Sequence, residues 1–522
     1  GYQIKNARSL GGLVRLPVSL ARLYRQASKQ RQARSHQPSV FEAPKVFEHA
    51  PADRPAEPEV LADARQSAAL LPQRMAQGQL KIACIMDDFT YGSYQPEAQL
   101  KQLTPLGWQS ELEDFQPELL FIESAWRGKD ELWGSKVGHN ASELQQIVRW
   151  CRSRGVPTMF WNKEDPVHFE TFLTTAKQFD FVFTTDMDCI HRYKAALGHD
   201  QIYFLPFACQ PSVHNPIELY ERKDAFCFAG AYYARYPERT RDLGNFVAKL
   251  PEFRPVEIYD RNYGKNDPNY QFPAEYQPFI VGTLPFSEID RAYKGYRYAI
   301  NLNSIKQSQT MFARRVYELL GCNTVTVSNY SRGVRLMFGD LVITTDSGEE
   351  MVRRLQALAG DEESSGKLRL AALRKVMLEH TYEQRLNYIF AKVSGTPVAN
   401  PLPDVAVLGY ARTEENAQTF IANFQRQTHM GSALYLLLGR KVPQPAIEDP
   451  RIHFLRRKDV EGKRIGDVIG AAQLLAGMVA DDYYGPNYLL DMAIATRYSS
   501  ANAFGKVTRY NYVETGIELL EP

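Results

Sequence analysis

The stretch that decides the fold is YRYAINLN at residues 296–303, followed by QTMFARRVYELLGCNTVTVSN at residues 309–329. The first run predicts a strand that ends at Asn301 and Asn303, and the second predicts a helix followed by another strand. In an open parallel sheet, ligands bind outside the carboxyl ends of the strands. The pattern therefore predicts a strand–loop–helix–strand unit with a binding site at its loop.

The loop and helix of this unit carry charges that suit a nucleotide. Free N–H groups and the dipole at a helix start can hold a phosphate. Lys306 lies in the loop, Arg314 or Arg315 could neutralise a diphosphate, and Glu318 could accept both hydroxyls of a ribose. A surface helix with an internal Arg–Glu pair is the alternative. We expect Gly321 to end the helix, where a positive φ costs a glycine little.

Strands and helices alternate on both sides of this unit. Residues 80–215 contain apolar strands such as LKIACIMDD and PELLFIESAW, and residues 222–397 repeat the pattern with DAFCFAGAYY and FRPVEIYD. Strands separated by helices of about 10–15 residues predict a doubly wound parallel sheet. The chain is therefore expected to be an α/β protein with two Rossmann-like lobes that face a cleft.

The predicted organisation has four parts. Residues 1–77 are a basic amphipathic helix and a Pro-rich linker, 78–220 the first lobe and 221–400 the second lobe. Residues 401–522 open a new α/β unit. About 120 residues is short for the fold that this unit suggests, so we expect it to be truncated.

The second lobe resembles the C-terminal lobe of GT-B glycosyltransferases, and it is most similar to the family named after the spore-maturation protein CgeB. The family has a strand ending in Asn, then R-x-x-E and a glycine, and a closing helix with an hTyehR-like signature. This chain has Arg315, Glu318 and an early Gly321, and it reads HTYEQR at residues 380–385. The motif FAG at 228–230 followed by Arg235 or Arg239 matches the opening of the donor lobe.

The resemblance implies a glycosyltransferase of hexosyltransferase type that binds a nucleotide-sugar donor in its second lobe. The implied donor-binding residues are Gly230, Arg235, Arg239, Asn301, Asn303, Lys306, Arg314, Arg315 and Glu318. GT-B enzymes use helix dipoles and basic side chains rather than a metal at the leaving group, so no cofactor is expected for this module. Thr310 stands where many retaining members carry a second Glu, which leaves the stereochemical outcome open.

An inverting transfer also needs a general base on the acceptor side. The candidates follow predicted strands of the first lobe, in IMDDFTYGSY and NKEDPVHFE: Asp87, Asp88, Glu164, Asp165 and His168. The alternative for each is a turn-forming or helix-capping residue. Trp126 and Trp133, which follow a strand in ESAWRGKDELWG, are acceptor platforms or, alternatively, half-buried packing residues.

The third unit contains MVADDYYGPNYLLDM, which resembles the metal-binding strand end of family-2 GT-A glycosyltransferases. Asp481 and Asp482 could bind Mn²⁺ or Mg²⁺ on a sugar-nucleotide diphosphate. Val479 and Ala480 replace the first two Asp residues of the usual D-D-D-D-Y-Y-G. Two interpretations remain open here, a partial GT-A-like metal site and a vestigial structural domain.

Composition excludes several classes of protein. Lys and Arg number 62 against 60 Asp and Glu, so no global positive field favours a nucleic acid partner. The six cysteines form no CxxC pair, which argues against a disulfide framework and favours a reducing compartment. No apolar run is long enough to span a membrane. We therefore expect a cytoplasmic protein. The N-terminal basic helix either gives it a peripheral contact with the inner membrane or is a linker helix that packs on the next domain.

Two functions follow from these observations. The first is a glycosyltransferase that moves a sugar to a glycan, lipid-linked or protein acceptor in bacterial surface polysaccharide synthesis. The second is a non-catalytic carbohydrate-binding or scaffold protein that keeps the fold, which Thr310, Val479 and Ala480 favour.

Overall fold

The computed structural model describes residues 80–265, 267–399, 401–506, 509–513 and 516–520. The predicted N-terminal helix and linker lie outside these residues. Within them, no helix is both long and apolar enough to cross a membrane.

The first lobe is built around a parallel sheet of six strands in the order β2-β1-β3-β4-β5-β6. The strands are β1 Lys81–Ile85, β2 Gln99–Gln102, β3 Leu119–Glu123, β4 Thr158–Asn162, β5 Phe181–Thr184 and β6 Ile202–Phe204. The helices are α1 Asp88–Tyr94, α2 Trp108–Phe115, α3 Ser142–Arg152, α4 Phe169–Ala176 and α5 Ile190–Leu197. All five residues of β3 and of β4 are buried, as expected for a parallel sheet covered by helices on both faces.

The second lobe holds another parallel sheet of six strands, in the order β12-β11-β10-β7-β8-β9. Its strands are β7 Lys223–Gly230, β8 Val256–Asp260, β9 Ile280–Gly282, β10 Tyr296–Asn301, β11 Val325–Ser328 and β12 Ile343–Thr344. Numbered within the lobe, this is the Rossmann order 3-2-1-4-5-6, whose direction reverses between β7 and β10. Both lobes are thus Rossmann-like, as the sequence predicts.

Helices surround this second sheet and extend beyond it. They are α6 Pro237–Lys249, α7 Ile289–Lys294, α8 Arg315–Gly321, α9 Arg332–Phe338, α10 Gly348–Ala359, α11 Glu362–Glu379 and α12 Tyr382–Ser394. The sequence suggested one long helix over the region of α11 and α12, but the chain breaks at His380. Thr381 caps α12 in a reciprocal pair with Gln384, and such a capping box starts a new helix.

The helix that contains Glu318 ends at Gly321, as the sequence predicts. It begins at Arg315 and spans only seven residues. Asn323 takes the positive φ of 57° that was expected at Gly321. Gly321 instead permits close packing, because a Cβ there would lie 3.0 Å from the His214 carbonyl oxygen.

The closing signature joins the two lobes. Cys209 in the interlobe segment donates its N–H to the His380 carbonyl at 2.9 Å, and Tyr382 donates back to Cys209 at 3.0 Å. The guanidinium of Arg385 donates to the carbonyls of Pro206 at 3.0 Å and Phe207 at 3.0 Å. One apolar core accordingly contains side chains from both lobes and from α11 and α12.

The third unit has a parallel four-stranded sheet in the order β15-β14-β13-β16. Its strands are β13 Val405–Ala411, β14 Ser432–Leu438, β15 Ile452–Leu455 and β16 Leu474–Gly477, followed by the antiparallel pair β17 Arg509–Val513 and β18 Gly516–Leu520. Its helices are α13 Glu414–Gln425, α14 Arg457–Val460, α15 Ile465–Ile469 and α16 Tyr488–Ala495. Asp491 on α16 accepts two hydrogen bonds from Arg374 on α11, at 2.6 and 2.9 Å, which fixes this unit to the second lobe.

Candidate functional site

A cavity of about 270 Å³ lies between the two lobes at the carboxyl ends of their strands. From the first lobe it is lined by Glu164, Val167 and His168. From the second lobe it is lined by Ala231, Tyr233, Arg235, Tyr236, Arg239, Arg261, Leu302, Asn303, Ser304, Ile305, Met311, Phe312, Ala313 and Arg315. Its second-lobe wall follows β7 and β10, the two strands where a Rossmann sheet binds its ligand.

Four arginines converge on this second-lobe wall: Arg235, Arg239, Arg261 and Arg315. Within the described residues, none of the four pairs with a carboxylate, although 26 other ion pairs join a Lys or Arg to an Asp or Glu. A fold that places four like charges together without counter-charges favours an anionic ligand at that place.

Arg239 anchors this arginine group. Its side chain is buried, donates to the Ala231 carbonyl at 3.1 Å and lies over the Tyr233 ring at 4.7 Å. Burial, and then the charge of Arg315, lowers the pKa of Arg239 to about 10. Because like charges repel one another here, a bound anion would stabilise the group.

Arg315 is the member of the group with an unused hydrogen-bond donor. It is the first residue of α8, and its guanidinium lies 5.7 Å from the Phe228 ring. Its Nε is shielded from solvent and has no hydrogen-bond partner among the described residues. A ligand with an acceptor oxygen would satisfy this donor.

Asn301 and Asn303 order the loop through their side-chain amides, and Asn303 also lines the cavity. Both side-chain amides donate to the Ser328 hydroxyl at 3.0 Å. The Asn303 side-chain oxygen also accepts the N–H of Ala313 at 2.9 Å, which closes the loop that leads to Arg315. Gly230 ends β7 beside them.

The structure does not bring Glu318 and Arg314 to the cavity wall. The Glu318 side chain is 1% exposed, and it binds Arg314 and the hydroxyl of Tyr293, the latter at 2.9 Å. Burial opposes its ionisation, but the adjacent Arg314 and the Tyr293 hydrogen bond hold its pKa below the usual value. Arg314 and Glu318 therefore form an internal Arg–Glu pair, which is the alternative to nucleotide binding given in the sequence analysis.

Lys306 is likewise paired with carboxylates. Its ammonium lies 2.6 Å from Asp242 and 3.0 Å from Asp346. The pair with buried Asp242 connects the loop after β10 to α6, so Lys306 stabilises the wall of the cavity. It does not line the cavity itself.

Among the acceptor-side candidates, Glu164 and His168 lie in the cavity, across from the arginine group. Neither side chain has a carboxylate or amide partner among the hydrogen bonds of the described residues. Asp88 does not reach the cavity, because it is an exposed residue at the start of α1. The residues IMDD therefore indicate the edge of the sheet at which the cavity lies, but Asp88 itself does not line the cavity.

Asp165 does not line the cavity, and its carboxylate binds neighbouring side chains of the first lobe instead. Its carboxylate is fully buried and accepts hydrogen bonds from Asn162 at 2.8 Å and from Thr184 at 2.6 Å. Burial raises its pKa to about 7. Asp165 thus fixes the turn that carries Glu164 and His168.

A buried charged cluster that the motifs did not reveal lies beside this turn. Lys163 is 2% exposed, and its ammonium lies 2.7 Å from Asp87 and 3.1 Å from Glu123. Burial raises the pKa of Glu123 to about 7 despite the neighbouring ammonium. Asp87 follows β1, Glu123 ends β3 and Lys163 follows β4. Their position at strand ends is the sequence signal from which the cluster could have been predicted.

Tyr233 and Arg261 were also missed. Tyr233 follows the FAG motif, and Arg261 directly follows β8, whose end FRPVEIYD the sequence shows. Arg261 donates its N–H to the Gly230 carbonyl at 2.9 Å, which places it next to the motif. Arg261 reaches the arginine wall because β8 pairs with β7, and no local sequence pattern specifies that pairing.

A second cavity, of about 420 Å³, lies in the third unit. It is lined by Gln418, Thr419, Ala422, Asn423, Arg426, Ala480, Asp481, Asp482 and Tyr483. Asp481 and Asp482 are both exposed, and the described residues hold no group of three His, Cys, Asp or Glu side chains that could ligate a metal. The binding of Mn²⁺ or Mg²⁺ by Asp481 and Asp482 therefore stays a prediction.

The comparisons with known proteins agree with a transferase-like second lobe. Residues 235–391 match the family model described as "Glycosyl transferase-like", a range that contains all four arginines of the wall and part of α12. No curated protein matches the chain.

Several solved structures show a distant similarity to this chain. Sucrose-phosphate synthase from Thermosynechococcus elongatus is 11% identical with a TM-score of 0.41, over 62% of this chain and 90% of that one. Anabaena HepE in complex with UDP-glucose is 11% identical with a TM-score of 0.41, over 66% and 98%. T4 phage BGT in complex with UDP-glucose is 10% identical with a TM-score of 0.38, over 60% and 99%.

Proposed function

We propose that this chain is a glycosyltransferase of the GT-B type that takes a sugar from a nucleotide-sugar donor. The single observation that carries the proposal is the group of four arginines without carboxylate partners at the switch point of the second sheet. The family match over residues 235–391 supports it independently. The finer assignments, to the CgeB-like family and to hexosyl transfer, are parts of this proposal.

The charge of the arginine wall suits the leaving group of such a reaction. In the transfer, the bond between the anomeric carbon and the diphosphate oxygen breaks, and the nucleoside diphosphate keeps the electron pair. It therefore gains negative charge as it leaves. Fixed guanidinium groups stabilise the developing charge more than the ground state, which lowers the barrier. Because the arginines supply this positive charge, we propose a metal-independent reaction.

The acceptor hydroxyl must lose its proton as its oxygen attacks the anomeric carbon. Glu164 and His168 are the groups that line the opposite wall of the cavity, and we propose that one of them takes this proton. Asp165 acts through them as a positioning residue, because its buried carboxylate fixes the intervening turn.

Glu318 has a positioning role in this proposal. The resemblance implies that its carboxylate grips the ribose, but that carboxylate is 1% exposed and already binds Arg314 and Tyr293. We propose that it holds α8 in place, so that Arg315 at the helix start faces the cavity.

A non-catalytic carbohydrate-binding or scaffold protein is the second candidate, and one observation favours it. Thr310, which replaces the second Glu of many retaining members, points its hydroxyl at the first lobe. It donates to the Thr185 carbonyl at 3.1 Å and accepts the Met187 N–H at 3.0 Å. It therefore connects the lobes instead of facing a donor. Bacterial surface polysaccharide synthesis, with a glycan, lipid-linked or protein acceptor, is the setting that we propose for either activity.

Calorimetric titration with UDP, GDP and CMP tests the proposal. Arg315→Gln is expected to weaken binding of the preferred nucleotide by about 10- to 100-fold, since it removes a charge-assisted contact of roughly 1.5–3 kcal/mol. Arg332→Gln is the matched control, because Arg332 is an exposed arginine of the same lobe outside the cavity wall.

The outcomes separate the two candidates. Wild-type binding of one nucleotide, with release of that nucleotide from a nucleotide sugar, supports the transferase. Binding without turnover in a panel of nucleotide sugars favours the non-catalytic protein. If no nucleotide binds at millimolar concentration, the transferase assignment is wrong.

A further inference from the structure

The first-lobe wall of the cleft differs in charge from the arginine wall. Its groups are the Glu164 carboxylate and the His168 imidazole, and Lys163 beside them is bound by Asp87 and Glu123. Next along the surface is Trp126, whose ring lies 4.8 Å from His168 and 5.3 Å from Phe172. This wall therefore offers a carboxylate, an imidazole and an aromatic ring.

Trp126 is unusually accessible for its type. Its relative exposure is 40%, whereas Trp133 and Trp161 are 0% exposed and Trp150 is 8% exposed. The indole N–H has no hydrogen-bond partner among the described residues, unlike those of Trp133 and Trp161, which donate to carbonyls at 2.8 and 2.9 Å. Packing against Phe172 covers only part of the ring, so the rest can meet a ligand.

The fold fixes the position of Trp126 by an unusual clamp. The Asp87 carboxylate accepts three consecutive backbone N–H groups, from Trp126 at 3.2 Å, Arg127 at 3.1 Å and Gly128 at 2.9 Å. Lys163 donates to the same carboxylate at 2.7 Å. Glycine is required at 128, because φ is +63° and a Cβ would lie 2.9 Å from Trp133.

The clamp connects the aromatic ring to the polar groups of the cavity. Lys163 directly precedes Glu164, and Asp87 holds Lys163 and the Trp126 loop at once. The ring, the imidazole and the carboxylate are thereby held by one buried network. Such rigid presentation reduces the entropy lost when a ligand binds.

We propose that Trp126, His168 and Glu164 bind the acceptor, and that this acceptor is an uncharged sugar ring. This inference rests on the proposed function and names the acceptor class for the same cleft. The apolar face of a pyranose covers the exposed indole, and its hydroxyls donate to the Glu164 carboxylate and bond with the imidazole. A phosphorylated or acidic acceptor is disfavoured, because this wall presents a carboxylate and its buried lysine is already paired.

Saturation-transfer NMR on the full chain tests this inference. The probes are the neutral methyl glycosides of glucose, galactose, mannose and N-acetylglucosamine, with methyl glucuronide and glycerol phosphate as anionic counterparts, each in the presence of the preferred nucleoside diphosphate. At least one neutral glycoside is expected to bind with its ring protons saturated, and Trp126→Leu is expected to weaken that binding at least 10-fold. Tyr410→Leu removes another exposed aromatic ring, in the third unit, and is expected to change nothing.

A second variant separates positioning from folding. Asp87→Asn loses the charge that holds Lys163 and the loop, so it is expected to weaken glycoside binding while nucleotide affinity stays at the wild-type value. If only the anionic probes bind, or if the neutral glycosides bind equally to Trp126→Leu, the inference is overturned. Nucleotide binding without glycoside binding overturns this inference alone. Glycoside binding without nucleotide binding overturns the transferase and leaves a carbohydrate site.

Discussion

At the scale of single residues, the carboxylates of this chain differ sharply in what surrounds them. Glu318 has a lowered pKa beside the half-buried Arg314, whereas Asp165 and Glu123 are buried with pKa values raised to about 7. Adjacent acids in the sequence therefore have separate roles. Glu164 meets the cavity, and Asp165 immediately after it supports the turn.

Asp165 makes the stability of the chain depend on pH. Its pKa is about 7 in the folded state, whereas an unperturbed aspartate has a pKa of 3.8. Between these values the folded state holds a proton that the unfolded state has released. The stability that Asp165 gives to the folded state by keeping this proton is complete below about pH 4, and it is lost as pH rises through 7. At about 1.4 kcal/mol per pH unit, it amounts to roughly 4 kcal/mol.

Asp165→Asn is expected to flatten this part of the pH profile, since an amide resembles the protonated acid and does not titrate. Urea unfolding at several pH values between 4 and 8 measures the free energy of unfolding. Asp88→Asn, at an exposed position two strands away, is the control and should leave the slope unchanged. Equal slopes in wild type and Asp165→Asn would contradict the prediction.

At the scale of elements, the start of α12 connects local sequence to the contact between lobes. Thr381 is fully buried, caps α12 and forms a parallel bridge with Cys209. The same turn brings Arg385 onto the carbonyls of Pro206 and Phe207. A capping signal in the sequence thus also orders the interlobe segment.

Thr381→Ala is expected to lower the free energy of unfolding by about 1–2 kcal/mol, the upper range for loss of a capping residue. Because Thr381 is buried, water cannot replace its hydroxyl as the partner of the helix N–H group once the cap is removed. Ser347→Ala, which removes the exposed cap of α10, is expected to cost less, about 0.5–1 kcal/mol. Denaturant unfolding of both variants makes the comparison, and a larger loss in Ser347→Ala would argue against the buried role.

At the scale of the whole molecule, the third unit is held to the second lobe by a small charged contact. Asp491 is 9% exposed at its side chain and is bound by Arg374 and Lys506. Nearby, Arg497 pairs with Glu383 of α12 at 2.7 Å. The two units therefore share an interface with partly buried ion pairs, where removal of one partner leaves uncompensated charge.

Asp491→Asn is expected to loosen this docking, because two cations lose their carboxylate. Hydrogen exchange of the backbone in α16 should become at least several-fold faster, with nucleotide binding in the interlobe cavity unchanged. Asp449→Asn is a matched control, since Asp449 pairs only with Arg451 of the same unit. Unchanged exchange in α16 would show that apolar packing alone holds the unit.

Much of the fold follows from local patterns. Buried apolar runs such as FIE in β3 and FWN in β4 predict parallel strands, and the turn residues after them predict the edge where ligands bind. Short edge strands such as β2 and β9 were missed, because three or four half-exposed residues carry no clear periodicity.

The sequence by itself determined the two Rossmann-like lobes, the third α/β unit, and the placement of Glu164, His168, Arg235, Arg239 and Arg315 at strand ends or helix starts. These features depend on residue periodicity and on neighbours along the chain. Only the tertiary structure decided that Glu318 is buried, that Arg261 joins the arginine wall and that Asp87 clamps the Trp126 loop. Those facts depend on which strands pair and which groups lose water, and residues about 40 to 80 positions apart settle them.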